Sequence, residues 1–147
     1  WLQGKLNSVF LEVGKDLIKD PWEARNRYID ICINRYDRET FFDEISYRSL
    51  EKTEKSIVLK LLELQRHSML MYTSCGWFFN DISGIETEQI LLYAGKAIQL
   101  AEELSGTALE APFLKLLELA KSNIPEKGNG ALIYNNVIKE ATIDFQT

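Results

Sequence analysis

The chain is poor in the residues that build a compact chemical centre. It has one histidine, His67, and two cysteines, Cys32 and Cys75, far apart and without Cys-x-x-Cys spacing. A zinc site or a disulfide framework needs more ligands at closer spacing, and the repeated Glu-x-x-His of a carboxylate-bridged metal bundle needs a second histidine. No metal and no cofactor is expected, and both thiols read as buried packing groups. Positive charge is also scarce: 17 lysines and arginines against 22 aspartates and glutamates leave a net charge of −5. That balance offers no basic field for counterion release, so nucleic acid is a poor partner, and so is a membrane surface. No apolar run approaches the roughly 20 residues of a spanning helix. The start, WLQGKLNSVF, lacks the basic-then-apolar order of a signal peptide. A cytoplasmic location is the expectation. No internal repeat, low-complexity tract or flexible linker divides the chain, so residues 1–147 read as one domain.

What is present is helical periodicity. A hydrophobic content of 46% over 147 residues is enough to fill a single core. Leu6, Val9, Phe10, Val13, Leu17 and Ile18 recur at the spacing of a helix from Leu2 to about Lys19. Asp20-Pro21-Trp22-Glu23 then supplies an N-cap, a proline at the first helical position and a glutamate at N3. The second helix is expected to run to about Tyr36, with Trp22, Tyr28, Ile29, Cys32 and Ile33 as its apolar contacts. Asp37 caps a short segment carrying Phe41, Phe42 and Ile45, and residues 46–52 read as a loop. From about Thr53 a long helix carries Ile57, Val58, Leu61, Leu62, Leu64, Met69 and Leu70.

Ser83-Gly-Ile-Glu86 reads as a second capping box, opening another long helix that Gly106 stops. Its small residues Ala94, Gly95, Ala97 and Ala101 invite close approach by a neighbour. Pro112 is expected to open a helix through Phe113, Leu116, Leu117 and Ala120, ended by the stretch from Pro125 to Gly130. A last helix covers roughly Ala131 to Ala141, with Leu132, Ile133, Val137 and Ile138 inward. No strand emerges. The fold class is all-α, a bundle with two long central helices and several shorter flanking ones.

Between the long helices lies YTSCGWFFNDISGIE, residues 72–86, more than a simple connection requires. Gly76 can end the first of them in the left-handed conformation and Gly84 can serve the turn before the second. On one reading Trp77, Phe78 and Phe79 plug the end of the bundle while Asp81 or Ser83 caps. On the other, the aromatics and the groups of Tyr72, Ser74, Asn80, Asp81 and Glu86 form a carbohydrate site. A flat ring covers the C–H face of a pyranose while carboxylates and amides bind its hydroxyls. Two to three turns back, Glu63, Arg66 and His67 add polarity. Arg66 is expected to pair with Glu63 across one helical turn, and His67 reads as the hydrogen-bonded partner of a nearby carboxylate. Trp1 and Trp22 read as packing residues.

Residues 62–104, LELQRHSMLMYTSCGWFFNDISGIETEQILLYAGKAIQLAEEL, resemble the C-terminal helical domain (domain of unknown function 3536) of proteins similar to family 57 glycoside hydrolases of the α-amylase/α-mannosidase kind. DPWEARNRYID, residues 20–30, is similar to the same domain's early helix, so the resemblance covers nearly the whole chain. It implies an N-terminal catalytic β/α barrel that carries both catalytic carboxylates, with the helical region packed against its mouth. In such proteins a Ser-x-Trp-like segment lines the cleft, and Ser74-Cys75-Gly76-Trp77 is similar in kind. Gly76 stands where those relatives often carry an aspartate, which leaves Asp81 or Glu86 to fill that role.

The expected function is therefore an accessory domain of a glycoside hydrolase, partnered by the barrel in cis and lining part of an α-glucan or mannoside cleft through Tyr72, Ser74, Trp77, Asp81, Glu86 and His67. The alternative is an interaction module without substrate contact. Hydrolysis by this chain alone would need two carboxyls about 5–5.5 Å or roughly 6.5–9.5 Å apart, one with a raised pKa. Asp81 and Glu86 have the more ordinary use of favouring a helix start, so no residue here is assigned as catalytic. A surface that normally covers a barrel is expected to expose Trp77 or Phe78 and to promote self-association.

Overall fold

The computed structural model of the chain describes residues 1–77 and 81–144, leaving out the side chains of Cys75, Trp77 and residues 142–144. It is all-α. The helices are α1 (Leu2–Gly14), α2 (Pro21–Cys32), α3 (Arg38–Ile45), α4 (Lys52–Leu70), α5 (Ile85–Ser105), α6 (Glu110–Leu117) and α7 (Gly130–Asp144), with short 3-10 turns at Ser74–Trp77 and Pro125–Lys127. Among the described residues there is no strand; isolated antiparallel bridges join Ile18 to Ser46 and Lys121 to Asn129.

The two long helices, α4 and α5, pack along each other, and α1 lies against both. Their shared core follows from sequence spacing: Val58, Leu61, Leu62 and Leu64 of α4 are fully buried, as are Ala97 and Ala101 of α5. Leu6 and Phe10 of α1 close it from one side, and Phe41, Phe42 and Ile45 of α3 from another. A smaller core of Leu91, Ile133, Tyr134 and Val137 holds α7 against α5, with α6 beside it. Gly95 lets α7 come close, since a Cβ there would lie 2.4 Å from Ile138 Cδ1.

Several starts follow the expected chemistry. The Asp20 carboxylate accepts from the Glu23 amide at 3.0 Å with Pro21 in the first turn, and Asp37 accepts from the Thr40 amide at 2.8 Å. Gly106, at φ 69°, ends α5 as expected.

Other boundaries differ. α1 stops at Gly14 rather than Lys19, because the amides of Leu17 and Ile18 both turn back to the Gly14 carbonyl, at 3.0 and 2.9 Å. Ile18 is still buried, from a turn. α2 ends at Cys32 rather than Tyr36. Asn34 adopts φ 54°, its amide donates to the Ile31 carbonyl and the Arg35 amide to that of Asp30, the pattern of a Schellman stop with asparagine in place of glycine. Ile33, the C-cap just before that asparagine, is 46% exposed, and Ile29 on the outer face of α2 is 57% exposed, so neither is a core contact.

Gly84, not Ser83, is the N-cap residue of α5, because the Ser83 amide and hydroxyl are both turned onto Asp81. Gly76 is not left-handed. It sits in the 3-10 turn, where a Cβ would fall 1.6 Å from Ile90 Cδ1, so close approach is its physical requirement. α6 starts at Glu110, ahead of Pro112, because Glu102 of α5 accepts from the amides of Leu109 and Glu110 at 2.7 and 3.0 Å. It ends at Leu117, short of Ala120. On α7 Leu132 is exposed and Tyr134 takes the inward place. Trp1 is also exposed, whereas Trp22 packs on Phe10 at 5.4 Å between ring centroids.

Candidate functional site

The connection after α4 is held by one carboxylate. Asp81 accepts from the Ser83 amide at 2.9 Å, from the Ser122 hydroxyl at 2.9 and 3.0 Å, and from the Asn123 amide at 2.6 Å. The Ser83 hydroxyl donates to it as well. These donors, the Ser83 hydroxyl foremost and then the Asn123 amide, hold the carboxyl well below the usual carboxylate range. Asp81 therefore ties residues 81–84 to the loop after α6, and its oxygens are engaged inside the chain.

The remaining expected site residues do not converge on one spot. Tyr72 is 48% exposed and borders an apolar concavity of 320 Å³ shared with Trp1, Met71, Ile90, Phe113 and Leu116. Ser74 is exposed at the start of the 3-10 turn. Glu86 lies half-buried in the first turn of α5, where a Cβ on Gly84 would come within 2.8 Å of its Oε2. The Trp77 side chain and Phe78, Phe79 and Asn80 lie outside the described residues, and with them the expectation of an exposed patch at Trp77 or Phe78.

His67 belongs to a different cluster. Its Nδ1 is 2.8 Å from the Glu63 carbonyl and 3.6 Å from Glu63 Oε2, and its ring meets Tyr93 edge-on at 6.2 Å. Arg66 donates to the Glu63 carboxylate through Nε and Nη2 at 3.1 to 3.2 Å. The Tyr28 hydroxyl reaches the same carboxylate from α2. Partial burial pushes the Glu63 carboxyl up, and the Arg66 and Tyr28 hydrogen bonds outweigh it, leaving it below its ordinary value. Burial, reinforced by the same carboxylate, pushes the Tyr28 phenol up. Tyr28 thus ties α2 to α4 through Glu63, while Arg66 pairs with the same carboxylate along α4.

Sequence reading did not single out Tyr28 for this role, nor Cys32 as an exposed thiol. The cysteine closes the last turn of α2 on its exposed side. A cleft of 580 Å³ between α5 and α7 was also missed; it is lined by Gly95, Lys96, Gln99, Glu102, Glu110 and Tyr134 among others. Tyr134 donates to Glu110 at 2.9 Å there, and burial, then the Glu110 hydrogen bond, raise its pKa. A long-range pair of this kind has no local sequence signal. Among the described residues no group of three or more histidine, cysteine, aspartate or glutamate side chains is placed to hold a metal ion, and no helix is long and apolar enough to cross a membrane.

No curated protein and no solved structure matches the chain. One family model does, over residues 1–147, and its description is "Domain of unknown function (DUF3536)". The chain belongs to that family along its whole length.

Proposed function

We propose that this chain is an accessory helical domain of a family 57-like glycoside hydrolase. It packs on the catalytic barrel through the face around Trp1, Tyr72 and Leu116, and brings the 72–86 connection to the edge of an α-glucan or mannoside cleft. The observation that carries this reading is the uncovered apolar end of the bundle. Trp1, Tyr72 and Leu116 are 51%, 48% and 43% exposed around one concavity. α6, whose sequence EAPFLKLL is mostly apolar, buries none of its residues fully. A contiguous apolar surface of this kind marks an interaction site. The barrel is assigned as its occupant by the resemblance of residues 20–30 and 62–104.

The test uses the parent protein with Tyr72→Glu and Leu116→Glu together. Both positions are exposed, so the domain's own stability should shift by only about ±0.5 kcal/mol each. Misplacing a cleft wall by about 1 Å can cost roughly 10²-fold in rate. A loss of roughly tenfold or more in kcat/KM on α-glucan or mannoside oligosaccharides, on that scale, is the expected result. Unchanged kinetics and unchanged association of the two domains would contradict the proposal.

The second reading, an interaction module without substrate contact, is favoured by the engagement of Asp81 within the chain. Glu86→Gln, in the 72–86 connection but outside the docking concavity, separates the two. Cleft lining raises KM in an assembled protein, whereas pure docking leaves both assembly and KM unchanged.

A further inference from the structure

Away from the uncovered end, α2 and α4 enclose two adjoining concavities of 260 and 330 Å³. They share Tyr28, Cys32 and Arg66 as a common wall. One half is apolar, with Ile29, Leu62 and Met69 among its walls; the other is polar, with Asn34, Arg38 and Glu63. Arg25 stands at the edge of the apolar half, stacked on Trp22 at 4.9 Å.

The charge of this groove runs against that of the chain. Three of its lining residues are arginines, and Glu63 is the single carboxylate among them, in a protein of net charge −5. Glu63 is already matched by Arg66, which uses Nε and Nη2 for that pair and leaves Nη1 for another acceptor. Arg38 is exposed and makes no side-chain hydrogen bond or ion pair among the described residues. Two guanidiniums with unspent donors therefore border the polar half, and guanidinium is the group best suited to hold a carboxylate or phosphate. Ile29 and Met69, 57% and 47% exposed, offer apolar surface at the other half.

We propose that this groove binds a small amphiphilic anion, its carboxylate or phosphate head on Arg38 and Arg66 and its hydrocarbon part over Ile29 and Met69. The inference is independent of the barrel-docking face, because none of these residues lines that concavity. Cys32, exposed on the shared wall, reports occupancy: a bound ligand shields its thiol from alkylation.

The experiment measures the iodoacetamide alkylation rate of Cys32 in the full chain, read at the peptide level so that Cys75 is counted separately. The probes are octyl phosphate, octanoate, inorganic phosphate and octyltrimethylammonium. The expected result is slowed alkylation with one or both octyl anions, the effective head identifying phosphate or carboxylate. Inorganic phosphate should protect far less. Arg38→Ala, an exposed position that leaves the fold intact, should demand roughly tenfold more ligand for the same protection, in line with the worth of a charged hydrogen bond. Equal protection by octyltrimethylammonium, protection undiminished in Arg38→Ala, or no protection by either octyl anion would overturn the proposal.

Discussion

At Asp81 a single carboxylate collects donors from Ser83, Ser122 and Asn123 and joins two loops far apart in sequence. Its folded pKa lies below the ordinary aspartate value near 3.9. The stabilisation is thus complete above that value and is lost as pH falls toward the folded pKa. Asp81→Asn should lower the urea midpoint at pH 7, and the gap from the unsubstituted chain should narrow as pH drops below about 4; a gap constant from pH 7 to pH 3 would contradict the hydrogen-bonding account. Asn34 is a second residue with a local test. Its left-handed φ of 54° suits glycine. Asn34→Gly should leave stability nearly unchanged, whereas Asn34→Val should cost about 1–2 kcal/mol in denaturant unfolding.

Among the elements, α4 shows how periodicity becomes packing. Leu61 is fully buried between α5 and α1, and Leu61→Ala should cost about 2–5 kcal/mol. Leu119, 78% exposed after α6, should change stability by less than about 0.5 kcal/mol on the same substitution. Gly130 marks where α7 begins against α6: a Cβ there would meet the Leu117 carbonyl oxygen at 2.8 Å, and a backbone atom cannot swing away. Gly130→Ala should destabilise by about 1–3 kcal/mol, measured by denaturant unfolding.

The helices themselves were legible because each has a 3.6-residue apolar stripe, and the caps at Asp20, Asp37 and Gly106 because their chemistry is local. Ser83 misled because its hydroxyl had a better partner in Asp81 than in the start of α5, and Gly76 because crowding by Ile90, not a left-handed turn, is what requires it. Ile29 and Cys32 misled because they fall on the exposed side of α2, and Ile33 because an asparagine stop ends the helix there. In the candidate site, the Arg66–Glu63 pair was legible from its spacing of three residues. The Tyr28–Glu63 and Ser122–Asp81 ties were not, since separations of 35 and 41 residues leave no local trace.

For the whole molecule, the two cores leave one end with large apolar groups in water, around Trp1, Tyr72 and Leu116. If that end is the proposed docking face, the chain by itself should self-associate through it, and sedimentation should show the self-association reduced by Leu116→Glu. The most direct measurement is hydroxyl-radical footprinting of tyrosines in the parent protein. Tyr72 and Tyr47 are comparably exposed on this chain, at 48% and 60%, but only Tyr72 belongs to the proposed docking face. Packing against a barrel predicts strong protection of Tyr72 with Tyr47 still reactive. Equal oxidation of the two would contradict the account.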